Sequence, residues 1–443
     1  MSGDAASQTL AGASLIEALD SASIGQDIYA LAAEIYPICR SITGQGVRDT
    51  LTILQKHAGI VQHEALSGTK VLDWTVPKEW VIRDAYIKNA AGERVVDFRK
   101  HNLHVLNYSA PIHARLALAE LKKNIFTLPE QPDLIPYRTS YYAERWGFCM
   151  SQNALDALAD GEYEVCVDSE LKDGSLTYGE LIHRGDTDEE VLFSVHTCHP
   201  SLANDNCSGM ALITHLAKRM AGVKTRHTYR FLYAPGTIGA ITWLARNEAA
   251  APRIKHGLVV SCVGDPGGFT YKRTRRGDAS IDRIMARLLA PRQANVIDFF
   301  PYGYDERQYN APGYKLDVGL FQRSQFATFP EYHTSADNLD FITPEALAES
   351  YRVLVAAIAA LETDRRYINL APKGEPQLGR RGLYGAIGGD KEAYAKNMAM
   401  LWVLNLSDGD YSLPDIAERA KLPLETVEQT ATLLEQAGLL KPA

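Results

Sequence analysis

No two of the six cysteines form a Cys-x-x-Cys pair. That removes the sequence grounds for a cysteine-rich zinc module or a disulfide-stapled small fold. Cys39, Cys149, Cys166, Cys198, Cys207 and Cys262 are scattered and are read as buried thiols. No apolar run is long enough to cross a bilayer, so no membrane partner is expected. No basic residue precedes Arg40, so the N-terminal stretch lacks the positive region of a secretory signal, and the expected compartment is the cytoplasm. Positive charge is also in deficit. Lys and Arg number 46 against 54 Asp and Glu, a net charge of −8. General nucleic-acid binding is therefore not expected, because neutralising phosphates needs cationic side chains. Internal repeats and low-complexity tracts are absent.

What is present suits a large folded protein. The chain has 443 residues, 46% of them hydrophobic and 23% charged, enough for two or three domains with sizeable cores. Residues 28–54 predict two helices separated by a turn at "TGQG". Residues 66–158 differ in texture, with short β-type runs broken by "PKEW" and "NAAGE", and predict a β-rich inserted module. From Glu162 the pattern becomes strand, turn, strand, helix. "EYEVCVDSEL" and "LTYGELIHRG" predict a hairpin. "EEVLFSVH" is continuously apolar, as a strand in the middle of a sheet would be. Strands "HTYRFLYAP" and "IKHGLVVSCVGD" then alternate with helical segments. This alternation predicts an α/β domain with a largely parallel sheet, assembled from residues 1–65 and 159–370. "APKGEPQLGRRGLY" resembles a linker, and residues 385–443 have the spacing of a winged helix. Its would-be recognition helix, Leu424 to Ala437, carries Glu425, Glu428 and Glu435 and no Lys or Arg. A helix meant for the major groove needs basic and amide side chains, so a packing or protein-contact role is expected instead.

Ligand sites in open α/β sheets lie beyond the C-terminal ends of the strands. His196 ends one strand, and Asp205 follows it nine positions later, where "DNCSG" opens a helix. Asp265 follows a later strand in "CVGDPGG", and His333 lies in "FPEYHTSADN". Imidazoles and carboxylates are the ligands a hydrolytic zinc site uses, with one position left for water. Any one of these residues is as well explained by structure; the set at one sheet edge points to a metal.

The motifs "HTCHPSLANDNCSG", "YAPGTIGA", "YDERQYNAPG" and "PEYHTSADNLDF" resemble bacterial aminopeptidase-like proteins of the zinc exopeptidase fold. "YPICRSITGQGVRDTL", "DWTVPKEW" and "IPYRTSYYAERWGFC" extend the resemblance over most of the chain. It implies a three-layer αβα domain with a mixed sheet, a β-rich insert and a C-terminal winged helix. It implies one or two zinc ions held by His196, Asp205, His333 and Asp265, with Ser261 or Cys262 as alternatives to Asp265. The expected substrate is a small peptide or aminoacyl amide, and a second copy of the chain, in a homo-oligomer, is the other candidate partner. Two departures stand out. The second neighbour of His196 is Cys198 where the family's His-x-Asp has an orienting Asp. Gly236 stands where a Glu serving as general base and ligand is expected. Glu331, two residues before His333, is the candidate replacement base or else a partner holding an imidazole. Asp305 and Glu306 are further candidates for that role and for substrate contact.

Arg138, Tyr142 and Arg145 alternate aromatic and basic character in "IPYRTSYYAERWGFCM". They suit either a substrate edge or interdomain packing. "YKRTRRGD" is a basic loop that could meet an acidic group or simply be solvated. The same sequence also fits a decayed peptidase scaffold used for binding, or an amide-processing enzyme of a biosynthetic pathway.

Overall fold

A computed structural model describes residues 12–383 and 391–443. Part of the N-terminal stretch and the end of the expected linker lie outside these residues. The chain divides into two compact units, residues 1–357 and 358–443.

The first unit is built on an eight-stranded sheet. Its strands are β1 (Val61–Leu66), β2 (Ser175–His183), β3 (Glu190–His196), β4 (Thr228–Ala234), β5 (Ile254–Val260), β6 (Thr270–Lys272), β7 (Asn295–Ile297) and β8 (Val318–Gln322), in the order β1-β2-β4-β3-β5-β8-β6-β7. The four central strands β4, β3, β5 and β8 run parallel, and the edges bring in antiparallel pairs. Every residue of β3 and β4 is buried. This is why their sequences are unbroken by an alternating polar pattern: both faces are covered. Glu190, at the entry of β3, is fully buried and is held by Arg230 and Arg253.

Helices supply the cover. Helix α1 (Ile24–Ile35) packs on α3 (Gly209–Met220). Helices α2 (Gln45–Gln55) and α4 (Ile238–Arg246) lie on β2, and α5 (Ser280–Leu289) lies on β5 and β8. The two helices expected within residues 28–54 are present as α1 and α2.

The insert forms its own antiparallel sheet from segments 94–97, 79–88, 162–172 and 112–117, in that order. Here the expectation needs correction. "EYEVCVDSEL" does not pair with "LTYGELIHRG": the strand Glu162–Lys172 pairs with Glu79–Lys88 and Ile112–Ala117, whereas β2 joins the main sheet. Sheet pairing therefore carries the insert to Lys172 rather than to residue 158. A turn between two strands looks the same in sequence whether they pair with each other or pass from one sheet to the next. Trp80, Ala85 and Val165 of the insert share one continuous core with Leu192 and Leu232 of the main sheet and Trp243 of α4.

The second unit is a winged helix with helices Lys391–Leu406, Leu413–Ala420 and Leu424–Gln436 and a three-stranded sheet. Val403, Ile416, Val427 and Leu434 fill its core. The middle strand of the sheet is Arg366–Asn369. The unit thus starts before the linker-like segment and not at residue 385, because a distant strand completes it. Helix Leu424–Gln436 buries Val427, Ala431 and Leu434 and leaves Glu425 and Glu435 exposed. No helix among the described residues is long and apolar enough to cross a membrane.

Candidate metal-binding site

The parallel strands deliver polar groups at their C-terminal ends. His196 is the last residue of β3 and is paired in register with Ala234, the last residue of β4. Gly236 and Thr237 therefore turn beside it. Ser261 and Cys262 leave β5 at the next strand.

His196, His199 and Asp205 present ligand atoms that lie within 4.8 Å of one another. Asp205 is the centre of the group. Its Oδ1 is 2.8 Å from His196 Nε2, and its Oδ2 is 3.0 Å from His333 Nε2 and 3.8 Å from His199 Nε2. Asp205 is fully buried and His196 nearly so, whereas the His333 side chain is 29% exposed and marks the open side. Burial alone pushes the Asp205 carboxyl up, but the imidazoles of His199 and His196 hold it well below its ordinary range. Burial drives His199 well below the ordinary imidazole value, so at neutral pH it offers a lone pair.

The residues fit a cation. Buried His196 Nε2 has no hydrogen-bond partner, although it lies so close to Asp205 Oδ1. The two atoms approach without aligning as donor and acceptor. An imidazole nitrogen and a carboxylate oxygen that share a third partner do this, and buried polar atoms are otherwise nearly always satisfied.

A polar frame fixes these ligands. The buried Asp337 carboxylate accepts the backbone N–H groups of Asn204 at 2.6 Å and Asp205 at 3.0 Å. Asn206 donates to the Val260 carbonyl and accepts from Gly209 N–H. A Cβ at Gly209 would collide with the Asn206 side chain, which would have to give up this position to admit any other residue. Fully buried Arg40 donates from Nε to the His199 carbonyl at 2.9 Å and so holds its loop. Tyrosines complete the walls. Tyr304 stacks on His196 with centroids 4.9 Å apart and donates to Asp205 Oδ1. Tyr332 stacks on His333 at 4.0 Å, and Tyr137 packs against both His199 and His333.

The other predicted residues fall into two groups. Asp305 belongs near the centre. It is buried, and Oδ1 accepts the Thr237 N–H at 2.6 Å. Thr237 has φ 63, a costly conformation for a β-branched residue, which aims that N–H at the carboxylate. Burial pushes the Asp305 carboxyl up to about 6, against the opposing pull of the Thr237 N–H and His196. At Gly236 an added Cβ would make only ordinary contacts, 3.4 Å to Cys198 Sγ and 3.6 Å to His196 Cβ. The missing Glu is therefore not excluded by space; Asp305 approaches the same turn from another loop. Cys198 accepts the Gly236 N–H, and burial pushes its thiol up to about 12, so it is a neutral structural group.

Asp265 is not in the cluster. Its carboxylate accepts from Ser324 Oγ, Gly267 N and Asn204 Nδ2, which steadies the residue before Asp205. Strand β5 ends at Val260, so Ser261 and Cys262 stand at the sheet edge and Asp265 lies beyond it. Ser261 Oγ is 3.3 Å from Asp205 Oδ1. Glu306 is also structural. It forms a buried pair with Lys272 at 2.8 Å, both side chains fully inaccessible. Replacing Lys272 by Met should cost roughly 3–5 kcal/mol, because it strands a buried carboxylate. Adding Glu306→Leu should recover most of that, which denaturant unfolding of both variants checks. Among the described residues no side chain pairs with the Glu331 carboxylate; its backbone carbonyl accepts from Thr334. Arg138, Tyr142 and Arg145 are exposed, and Tyr142 meets the Trp74 ring edge-on at 5.2 Å. His199 was not anticipated from sequence, although its spacing of three from His196 in one loop was the available signal. Asp337, Tyr304 and Tyr332 had none.

Residues 29–364 match a family described as a domain of unknown function (DUF4910), and residues 365–442 match a winged helix-turn-helix family. A protein of Clostridium acetobutylicum is 52% identical over 424 residues, spanning 95% of this chain and 98% of its own. It is named, provisionally, a polysaccharide biosynthesis protein with an aminopeptidase-like domain. A crystal structure from the same organism, provisionally described as a peptidase, has TM-score 0.84 and 51% identity, covering 95% of this chain and 96% of that one. A zinc aminopeptidase of Bacillus subtilis shares the fold at TM-score 0.56 and 14% identity, covering 77% of this chain and 94% of that one.

Proposed function

The chain belongs to the DUF4910 family, and on that footing we propose that it is a zinc-dependent hydrolase of a peptide or aminoacyl-amide bond. One ion is held by His196, His199, Asp205 and His333. The observation that carries this reading is the convergence of three imidazoles on the buried Asp205 carboxylate, with the ligand atoms of His196, His199 and Asp205 within 4.8 Å of one another. Three imidazoles and a carboxylate suit zinc better than magnesium or calcium, which favour all-oxygen sites.

A zinc ion in this cradle supplies Lewis acidity toward a carbonyl and lowers the pKa of a water. The protein's own residues do the rest. Asp305 has one oxygen anchored on the Thr237 N–H; its Oδ2 takes the proton of the attacking water and returns it to the leaving nitrogen. A carboxyl raised toward neutrality by burial is suited to both tasks. Tyr304 keeps its proton, because burial and the Asp205 charge raise it well above its ordinary value, so its hydroxyl is a hydrogen-bond donor throughout. The stacked rings of Tyr304 and Tyr332, with the Tyr137 ring set edge-on to His333, screen the imidazoles from water.

The name of the C. acetobutylicum relative favours a second reading of the substrate: an acyl or aminoacyl amide on an amino sugar, processed during polysaccharide assembly. One experiment serves both readings. Protein purified with zinc should carry about one ion per chain by elemental analysis. It should cleave at least one member of a panel of aminoacyl amides, dipeptides and N-acylated amino sugars, with products identified by mass spectrometry. Chelation should abolish the cleavage and zinc restore it. Stoichiometric zinc with no cleavage across the panel would leave the scaffold a binding protein.

A further inference from the structure

Beside the Thr237–Asp305 turn lies a cleft that this mechanism does not use. Trp74, Thr237, Arg275, Phe299, Arg307 and Gln308 are among its lining residues. Arg275 comes from the loop after β6, and Arg307 from the short helix Glu306–Tyr309. Among the described residues, neither Arg275 nor Arg307 comes within ion-pair distance of a carboxylate. Other arginines nearby are paired: Arg273 with Asp298, and Arg276 with Asp278 and Asp317. Arg307 Nε is buried without a hydrogen-bond partner, while its Nη2 reaches Thr237 Oγ1 at 3.3 Å. Trp74 is 38% exposed, a large aromatic surface left open to the cleft.

Arg307 already feels the Asp305 and Glu306 carboxylates, yet its Nε stays buried without a partner, and a buried unsatisfied N–H costs stability. That penalty is relieved when an anion enters, and guanidinium forks match carboxylate and phosphate oxygens. An adjacent indole offers a flat apolar surface for a ring. We propose that this cleft is an anion subsite, which receives a carboxylate or phosphate group carried on a ring-bearing part of the substrate. Thr237, whose N–H anchors Asp305, is itself a lining residue, so the site rests on the hydrolase reading for its meaning; its ligand binding can be tested without catalysis.

The test is titration of the full-length zinc-loaded protein with benzoate, phenylphosphonate and the neutral benzyl alcohol, by calorimetry or ligand-observed NMR. At least one of the two anions should bind ten or more times tighter than benzyl alcohol. The preferred anion distinguishes a carboxylate ligand from a phosphate ligand. Arg275→Gln and Arg307→Gln should each weaken that binding at least fivefold, and the double variant should abolish the preference. Arg275 is exposed, so its replacement leaves folding undisturbed. His199→Gln should leave the preference intact. If the anions bind no better than the alcohol, or if their binding is lost with His199→Gln and indifferent to both arginines, the subsite does not exist and the probe rests on the metal. Loss of hydrolysis with anion binding retained would instead count against the hydrolase reading alone.

Discussion

Asp205→Asn protein should emerge with less than about a tenth of an ion per chain and with hydrolysis reduced at least ~10³-fold. The reason is the central place of this side chain. Its two oxygens face three imidazoles, at 2.8, 3.0 and 3.8 Å. An amide carries no charge and presents one oxygen with an N–H₂ group, so it would put a donor against at least one imidazole nitrogen. The backbone would survive, because Asp337 grips the Asn204 and Asp205 N–H groups rather than the Asp205 side chain. Elemental analysis together with circular dichroism checks the result. A folded variant that retained a full ion would remove Asp205 from the ligand set.

The second large effect is expected from Asp305→Asn. Here the ion should stay and the rate should fall, with kcat lowered about 10²–10⁴-fold, the range a positioned general base supplies. Glu331→Gln, the base favoured from sequence, should change kcat by less than about threefold. The pH profile separates a chemical role from a supporting one. The metal-free carboxyl lies at about 6, and a nearby cation pulls it lower. Catalysis needs the ionised form, so kcat/KM should rise with pH through a limb at or below about 6, and that limb should vanish in Asp305→Asn. An unchanged limb in the variant, or loss of the ion with the rate, would show that Asp305 is not the base.

Much of this site was open to inspection in the linear chain. His196 was legible because a fully buried parallel strand has an unmistakable apolar run, and its end is where such sheets place ligands. Asp205 was legible from the small-residue turn that opens α3, and His333 from its motif. The choice between Asp265, Ser261 and Cys262 stayed open in the sequence because the end of β5 cannot be located to within three or four residues from an apolar run that continues through "VSCVGD". Asp305 and Glu306 are adjacent, acidic and buried, and nothing local separates them. Only the tertiary structure gives one a lysine and the other a backbone N–H beside a histidine.

The sequence by itself determined the periodicities, and with them the parallel sheet, the insert, the winged helix and the absence of cysteine-based staples, because these follow from spacing and composition along the chain. Tertiary structure alone decided which strands share a sheet, which carboxylate stands beside Gly236, and that His199 turns inward with His196. Those outcomes depend on which distant segments meet and what solvent is left between them, and no local pattern encodes either.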